Sequence, residues 1–125
     1  MLYAHTLVIP ANTLPGNPLD GEMGITGGTI ERLAVYFPWG CAGLAGCQVL
    51  YGSWQILPQT RGQWLTGNDN WLGFEEYMSI KGDPLFLTFR GYNLDDTYEH
   101  SLTLHATVLR PEVGEEMARF LRTLG

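Results

Sequence analysis

The most constraining feature of the chain is an alternating segment near its C-terminus, residues 98–108. The even positions carry Tyr, His, Leu, Leu, Ala and Val, and the odd positions from 99 to 107 carry Glu, Ser, Thr, His and Thr. Successive side chains of a strand point to opposite faces of a sheet. The pattern therefore predicts a half-buried strand with one face in water.

Shorter segments of strand character precede this one, and turn residues separate them. The predicted strands are residues 2–9, 29–37, 43–51, 54–57, 71–80 and 85–92. Glu76 interrupts the apolar face of the segment 71–80. Residues 10–24 hold three prolines, three glycines and two asparagines, so we expect an irregular connection there.

Six or seven short strands without intervening helices predict a mainly β fold, because parallel strands would need long crossover connections. We expect an antiparallel β-sandwich, jelly-roll-like in its arrangement, with residues 1–110 as the sandwich domain. The 125 residues suit one such domain, and the 45% hydrophobic fraction is enough for a core.

The period changes after residue 110, where the sequence predicts a C-terminal amphipathic α-helix over residues 111–125. Pro111 suits the first helical turn. The apolar side chains recur at helical spacing and form one face; they are Val113, Met117, Phe120, Leu121 and Leu124. We expect this face to pack on the same domain or on a neighbouring subunit, so its residues are candidate interface residues.

The charge balance argues against two classes of partner. Thirteen acidic and seven basic residues give a net charge of -6, and the basic residues are scattered along the chain. Nucleic acid and anionic membranes therefore lack an electrostatic attraction to this chain. The first residues show no signal peptide, so we expect synthesis in the cytoplasm of the host.

No catalytic constellation is visible, and we expect a protein that is not an enzyme and holds no cofactor or metal. His100 and His105 have opposite parity on one strand and face opposite sides. His100 is expected to be a hydrogen-bonded core residue. Cys41 and Cys47 are expected to be free thiols. A zinc site at these cysteines, calcium at the Asn/Asp-rich turns and a metal-dependent jelly-roll enzyme remain as minor alternatives.

Four tryptophans lie in or beside turns of the middle third: Trp39, Trp54, Trp64 and Trp71. Tryptophan offers a large contact area at low entropic cost, which suits an interface anchor or a platform for sugar stacking. The alternative is that these rings cap the ends of the core. Both interpretations stay open at this point.

Several turn and packing motifs resemble a family of small uncharacterised proteins from tailed-bacteriophage genomes. The motifs are Val8-Ile-Pro-Ala-Asn-Thr13, Gly28-Thr-Ile-Glu-Arg-Leu33, Phe37-Pro-Trp-Gly-Cys-Ala-Gly-Leu44, Gln55-Ile-Leu-Pro58, Trp64-Leu-Thr-Gly67 and Asn93-Leu-Asp-Asp-Thr-Tyr-Glu-His100. The resemblance extends over residues 5–109 and leaves out the predicted helix. None of these motifs defines a reaction.

The resemblance implies a structural protein of the virion, such as a capsid decoration protein or a head or tail accessory subunit, by association with a fold class. Its expected partners are copies of itself, for example in a homotrimer, and other virion proteins such as a major capsid protein. The tryptophan-rich loops and acidic turns favour an alternative, a binding module for carbohydrate or another surface ligand.

Overall fold

The computed structural model describes residues 1–80, 85–109 and 119–122, and this part of the chain is mainly β-structure. It contains nine strands: β1 (Leu2–Ile9), β2 (Leu19–Ile25), β3 (Gly28–Phe37), β4 (Ala45–Tyr51), β5 (Trp54–Leu57), β6 (Leu65–Thr66), β7 (Asn70–Ile80), β8 (Leu85–Asn93) and β9 (His100–Leu109). The prediction of a mainly β, antiparallel protein is confirmed.

The strands form two antiparallel sheets. The first sheet has the order β1-β9-β3-β7, and the second has the order β2-β8-β4-β5, with the short β6 also paired to β4. Strand β9 pairs with both β1 and β3, so Leu104 lies opposite His5 on one side and Val35 on the other. Strands distant in the sequence are thus neighbours in both sheets.

One hydrophobic core lies between the two sheets, and both contribute to it. The alternating segment behaves as predicted, since Leu102, Leu104, Ala106 and Val108 are all buried. The sheets approach closely where β1 crosses β8: a Cβ added at Gly91 would overlap the Cδ1 atom of Ile9. Gly91 is therefore required by packing at this point.

The prediction of an irregular connection over residues 10–24 is wrong for its second half. Residues 19–25 form β2, which pairs with β8 in continuous register. The inward positions are Gly21, Met23 and Ile25. At Gly21, the side chains of His5 and Leu7 in β1 already fill the space that a Cβ atom would take. A glycine on the buried face breaks the apolar alternation by which a strand is recognised.

Two predicted strands begin later than expected, β4 at Ala45 and β9 at His100. Tyr98 is consequently not on the apolar face of β9 and is exposed in the preceding loop. Local hydrogen bonds to Asp95 hold the chain at Thr97 and Tyr98 in a turn. Asx turns of this kind compete with strand pairing.

The interruption at Glu76 corresponds to a β-bulge. The register between β3 and β7 shifts between Ile30 and Arg32, so that Glu76 and Tyr77 stand opposite Glu31 alone. Tyr77 has a φ of 50°, in the left-handed region that a bulky residue rarely adopts. The bulge sets the direction of two side chains at the edge of the first sheet.

Of the predicted C-terminal helix, residues 119–122 are helical, and Phe120 and Leu121 are exposed. Val113, Met117 and Leu124 lie outside the described residues. Within the described ranges, no helix has the length and apolar character needed to cross a membrane.

Candidate functional site

Four loops meet at one end of the two sheets, and we call this surface the loop end. It consists of residues 10–13, 38–44, 67–69 and 94–99. Backbone hydrogen bonds join these loops, from Leu94 N to Leu44 O (2.9 Å) and from Asn12 N to Asp95 O (2.9 Å). The side-chain oxygen of Asn68 accepts hydrogen bonds from the backbone of Gly40 and Ala42, at 2.9 and 3.0 Å. The loops therefore form one braced unit.

Asn93 is the buried polar centre beneath the loop end. Its side-chain nitrogen donates to the carbonyl oxygens of Ile9 (3.1 Å) and Tyr98 (2.9 Å), and its side-chain oxygen accepts from the backbone nitrogen of Asp95 (3.0 Å). Its backbone also exchanges two hydrogen bonds with Thr13. One fully buried side chain thus connects β1, β8 and the loop before β9.

Asp95 and His100 form a nearly buried pair next to Asn93, with 2.9 Å between Asp95 Oδ2 and His100 Nε2. The backbone N–H of Thr97, the side chain of His100 and the backbone N–H of Tyr98 stabilise the carboxylate and lower the pKa of Asp95. The prediction that His100 is a hydrogen-bonded core residue is confirmed. The pair holds the turn in place and offers little surface to a substrate.

Large apolar side chains project from the loop end into solvent. Trp39 is 80% exposed and Tyr98 is 68% exposed, and the neighbouring Leu44 and Leu94 are exposed as well. The loop 38–44 contains no charged residue. Aromatic and aliphatic side chains without charge are typical of the centre of a protein–protein interface. The loop 38–44, with the exposed Tyr98 and Leu94 beside it, therefore has the composition of a docking surface, and the exposed acids Asp69, Asp96 and Glu99 lie on the neighbouring loops.

A groove of about 410 Å³ runs between β7, at the edge of the first sheet, and β5 with the loop that follows it in the second. We call it the edge groove. The described residues that line it are Trp54, Gln55, Ile56, Gln59, Glu76, Tyr77 and Met78. Its polar groups come from both sheets, so the groove depends on how the two sheets are packed.

The β-bulge places Glu76 and Tyr77 in the edge groove. Partial burial raises the pKa of the Glu76 carboxyl. Within the described part of the chain, no hydrogen bond or ion pair engages that carboxyl. The strained backbone at Tyr77 is a feature that recurs at binding sites. Glu76 is thus a polar group held in a concave surface without a partner of its own among the described residues.

The other wall of the edge groove is fixed by the buried side chain of Gln55. Its nitrogen donates to the carbonyl oxygens of Pro58 (2.7 Å) and Thr60 (3.1 Å), and its oxygen accepts from the backbone nitrogen of Gly62 (3.2 Å). The same nitrogen lies 3.3 Å from Gln63 O. These bonds hold the loop 58–64 in one shape, which keeps this wall in place.

A third surface is a row of aromatic rings on the outer face of the first sheet. The ring of Trp71 lies between Tyr36 and His105, with centroid distances of 5.1 and 4.7 Å. Trp71 is 49% exposed. At the next register position Ala34 pairs with Gly73, and the guanidinium group of Arg32 lies over Gly73, where a Cβ would overlap it.

The predicted interface tryptophans do not come together. Trp39 lies on the loop end, Trp54 at the edge groove and Trp71 in the aromatic row, while Trp64 packs edge-on against Tyr92 at 4.8 Å. Trp64 is half-buried, so its role in the structure is packing. The hypothesis of capping rings therefore fits Trp64, whereas the other three rings are exposed on three different surfaces, and their role as anchors stays a prediction.

Three groups in these surfaces were not predicted as site residues: Glu76 and Gln59 in the edge groove, and the leucine pair 44 and 94 at the loop end. Of these groups, only Glu76 was noticeable in the sequence, because this polar residue interrupts the apolar face of the segment 71–80. The others became visible only when distant loops were placed side by side.

The cysteines and acidic turns do not assemble a metal centre among the residues described. Cys41 and Cys47 are buried free thiols. In residues 1–80, 85–109 and 119–122, no group of three or more His, Cys, Asp or Glu side chains is placed to hold a metal ion. The side chain of Asn70 instead accepts a local hydrogen bond from the backbone nitrogen of Asn68, as expected for an ordinary turn. The side-chain oxygen of Asn68 is engaged by the backbone of the loop 38–44.

Comparison with known proteins gives no relative for this chain: no family model, no curated protein and no solved structure matches it.

Proposed function

We propose that this chain is a structural protein of a bacteriophage particle, a capsid decoration or head or tail accessory subunit that acts through protein–protein contacts and not by catalysis. In this proposal the two sheets form a jelly-roll-like β-sandwich, followed by the C-terminal amphipathic helix. The proposal rests on the loop end, where hydrogen bonds join the loops to one another and Trp39 and Tyr98 are exposed.

The physical support comes from preorganisation. A loop that is ordered only on binding loses conformational entropy at that moment, which weakens the complex. The loops of the loop end are already held by backbone bonds and by the side chains of Asn68 and Asn93. Exposed aromatic side chains on such a rigid base suit a lasting interface of the kind found between the subunits of a shell.

The viral context is supported by the resemblance of the turn motifs to small proteins of tailed phages. Four of those motifs share residues with the loop end, namely 8–13, 37–44, 64–67 and 93–100. The proposed partner is another virion protein, such as a major capsid protein, or further copies of the chain in a trimer. The proposed location is the assembled virion.

Mass spectrometry of purified particles of the encoding virus, combined with co-sedimentation of the added protein, tests this function. We expect the protein in the particles and Trp39→Ala to weaken co-sedimentation roughly 30-fold or more, since loss of a central aromatic anchor costs about 2 kcal/mol or more. Trp71→Ala, on the outer sheet face, is the matched control and should bind normally. Absence of the protein from particles, or normal binding of Trp39→Ala, contradicts the proposal.

A further inference from the structure

The edge groove is open to solvent on one side and has the size of a small-ligand site. Its volume of about 410 Å³ lies within the range of roughly 300–1,000 Å³ that is usual for such sites. One wall is fixed by Gln55 and the loop 58–64, and the other by the bulge in β7. A ligand would therefore meet a surface that is already formed, and little binding free energy would be lost in ordering it.

Trp54 provides the flat apolar part of this site. It is 59% exposed although it begins a strand of the second sheet, and it is one of the residues that line the groove. The face of an indole ring carries partial negative charge. The C–H bonds on one face of a pyranose ring present the complementary apolar and weakly positive surface, so a sugar ring can stack on this side chain.

Glu76 and Gln59 carry planar polar groups and line the same groove as the tryptophan. A carboxylate accepts two hydrogen bonds, and a primary amide both donates and accepts. Adjacent hydroxyl groups of a sugar match this pattern. None of the described side chains that line the groove is basic, so an anionic ligand would find the Glu76 carboxylate and no compensating cation there.

Two other occupants fit the groove less well. An extended peptide adding to the edge of β7 would need a regular ladder, which the bulge at Glu76 and Tyr77 interrupts. A single ammonium or guanidinium group would engage Glu76 and Trp54 but would leave the amide of Gln59 and much of the groove unused. A saccharide uses all three groups together.

The geometry points to a binding site for neutral carbohydrate in the edge groove, in which Trp54 stacks on a pyranose ring while Glu76 and Gln59 hydrogen-bond to its hydroxyl groups. This site is separate from the loop end, so a particle subunit docked by its loop end would keep the groove for a surface glycan. The proposal adds a ligand site to the proposed structural function and does not depend on it.

An array of immobilised oligosaccharides of glucose, galactose, mannose and N-acetylglucosamine tests the site, followed by calorimetric titration with the best-bound saccharide. We expect the wild type to bind, Trp54→Ala to lose about tenfold or more in affinity, and Glu76→Gln and Gln59→Ala to lose about threefold or more each. Trp71→Ala, an exposed tryptophan of the other sheet, is the matched control and should stay within about twofold of wild type.

Thermal unfolding of each variant shows whether the fold is intact. Gln59 is exposed, so we expect Gln59→Ala to fold normally and to test the site even if another variant fails to fold. The proposal is overturned if the wild type binds no saccharide on the array. It is also overturned if Trp71→Ala abolishes binding while Trp54→Ala retains it, or if a lysine-rich peptide binds in the groove and the sugars do not. None of these outcomes bears on the co-sedimentation of the loop end.

Discussion

Asn93 is a single buried polar residue whose hydrogen bonds connect several parts of this fold. Its side chain makes three hydrogen bonds that connect β1, the end of β8 and the loop before β9, and it is completely buried. An apolar side chain at this position would leave the carbonyl groups of Ile9 and Tyr98 without these partners. Burying unpaired polar groups is costly, so the residue type is determined by the network around it.

Replacing Asn93 by alanine should therefore destabilise the protein strongly. We expect a loss of about 2–4 kcal/mol in the free energy of unfolding, because three buried hydrogen bonds disappear. Chemical denaturation measured by tryptophan fluorescence gives this value. Asn17→Ala, at an exposed asparagine, is the control and should change the stability little. A stability of Asn93→Ala equal to that of the wild type would show that the network contributes nothing.

At the scale of elements, the loop 58–64 is held against β4 and β5 by two buried amides. Gln55 binds the carbonyl groups of Pro58 and Thr60, and Gln48 donates to the carbonyl oxygen of Gln63 at 2.9 Å. The loop itself supplies few apolar side chains to the core. Its order consequently depends on side-chain hydrogen bonds from the strands beneath it.

Gln55→Ala should release this loop while leaving the two sheets intact. We expect a loss of about 1–3 kcal/mol in stability from the missing buried hydrogen bonds and faster amide hydrogen exchange confined to residues 58–64. Hydrogen exchange read by mass spectrometry measures both the size and the place of the effect. Gln59→Ala, at an exposed glutamine of the same loop, should leave exchange unchanged; equal effects of the two substitutions would contradict this role of Gln55.

At the scale of the whole molecule, the two sheets enclose both thiols. Cys41 and Cys47 are buried in the shared core, and burial raises the pKa of each thiol above its ordinary value. A raised pKa leaves less of the reactive thiolate at neutral pH, and packing excludes reagents from the sulfur atoms. The accessibility of the thiols therefore reports on the integrity of the core.

A thiol-specific reagent added to the native protein at pH 8 should react only as fast as the protein opens. In denaturant, both cysteines should react at once, because they are free and newly exposed. The time course of a disulfide-exchange dye measures both reactions. Immediate labelling of two thiols under native conditions would show that the core is open, and no labelling in denaturant would show that the cysteines are bridged.

Particular residues show where prediction from the sequence succeeded and where it failed. The alternation in β9 was predicted correctly, because Leu102, Leu104 and Ala106 follow a strict period of two and are buried. Strand β2 was missed, because Gly21 occupies an inward position that β1 fills from the other sheet. Glu76 disturbed the pattern of β7, and the structure shows a bulge there.

The sequence by itself determined the strand character of most segments, the buried face of β9 and the fold class. These properties are local, since the period of a strand follows from backbone geometry within a few residues. Only the tertiary structure decided that β9 lies between β1 and β3, that Trp39, Trp54 and Trp71 lie on three different surfaces, and that Glu76 and Trp54 share a groove. Such neighbours depend on contacts between residues far apart in the chain, and no local pattern of side chains records them.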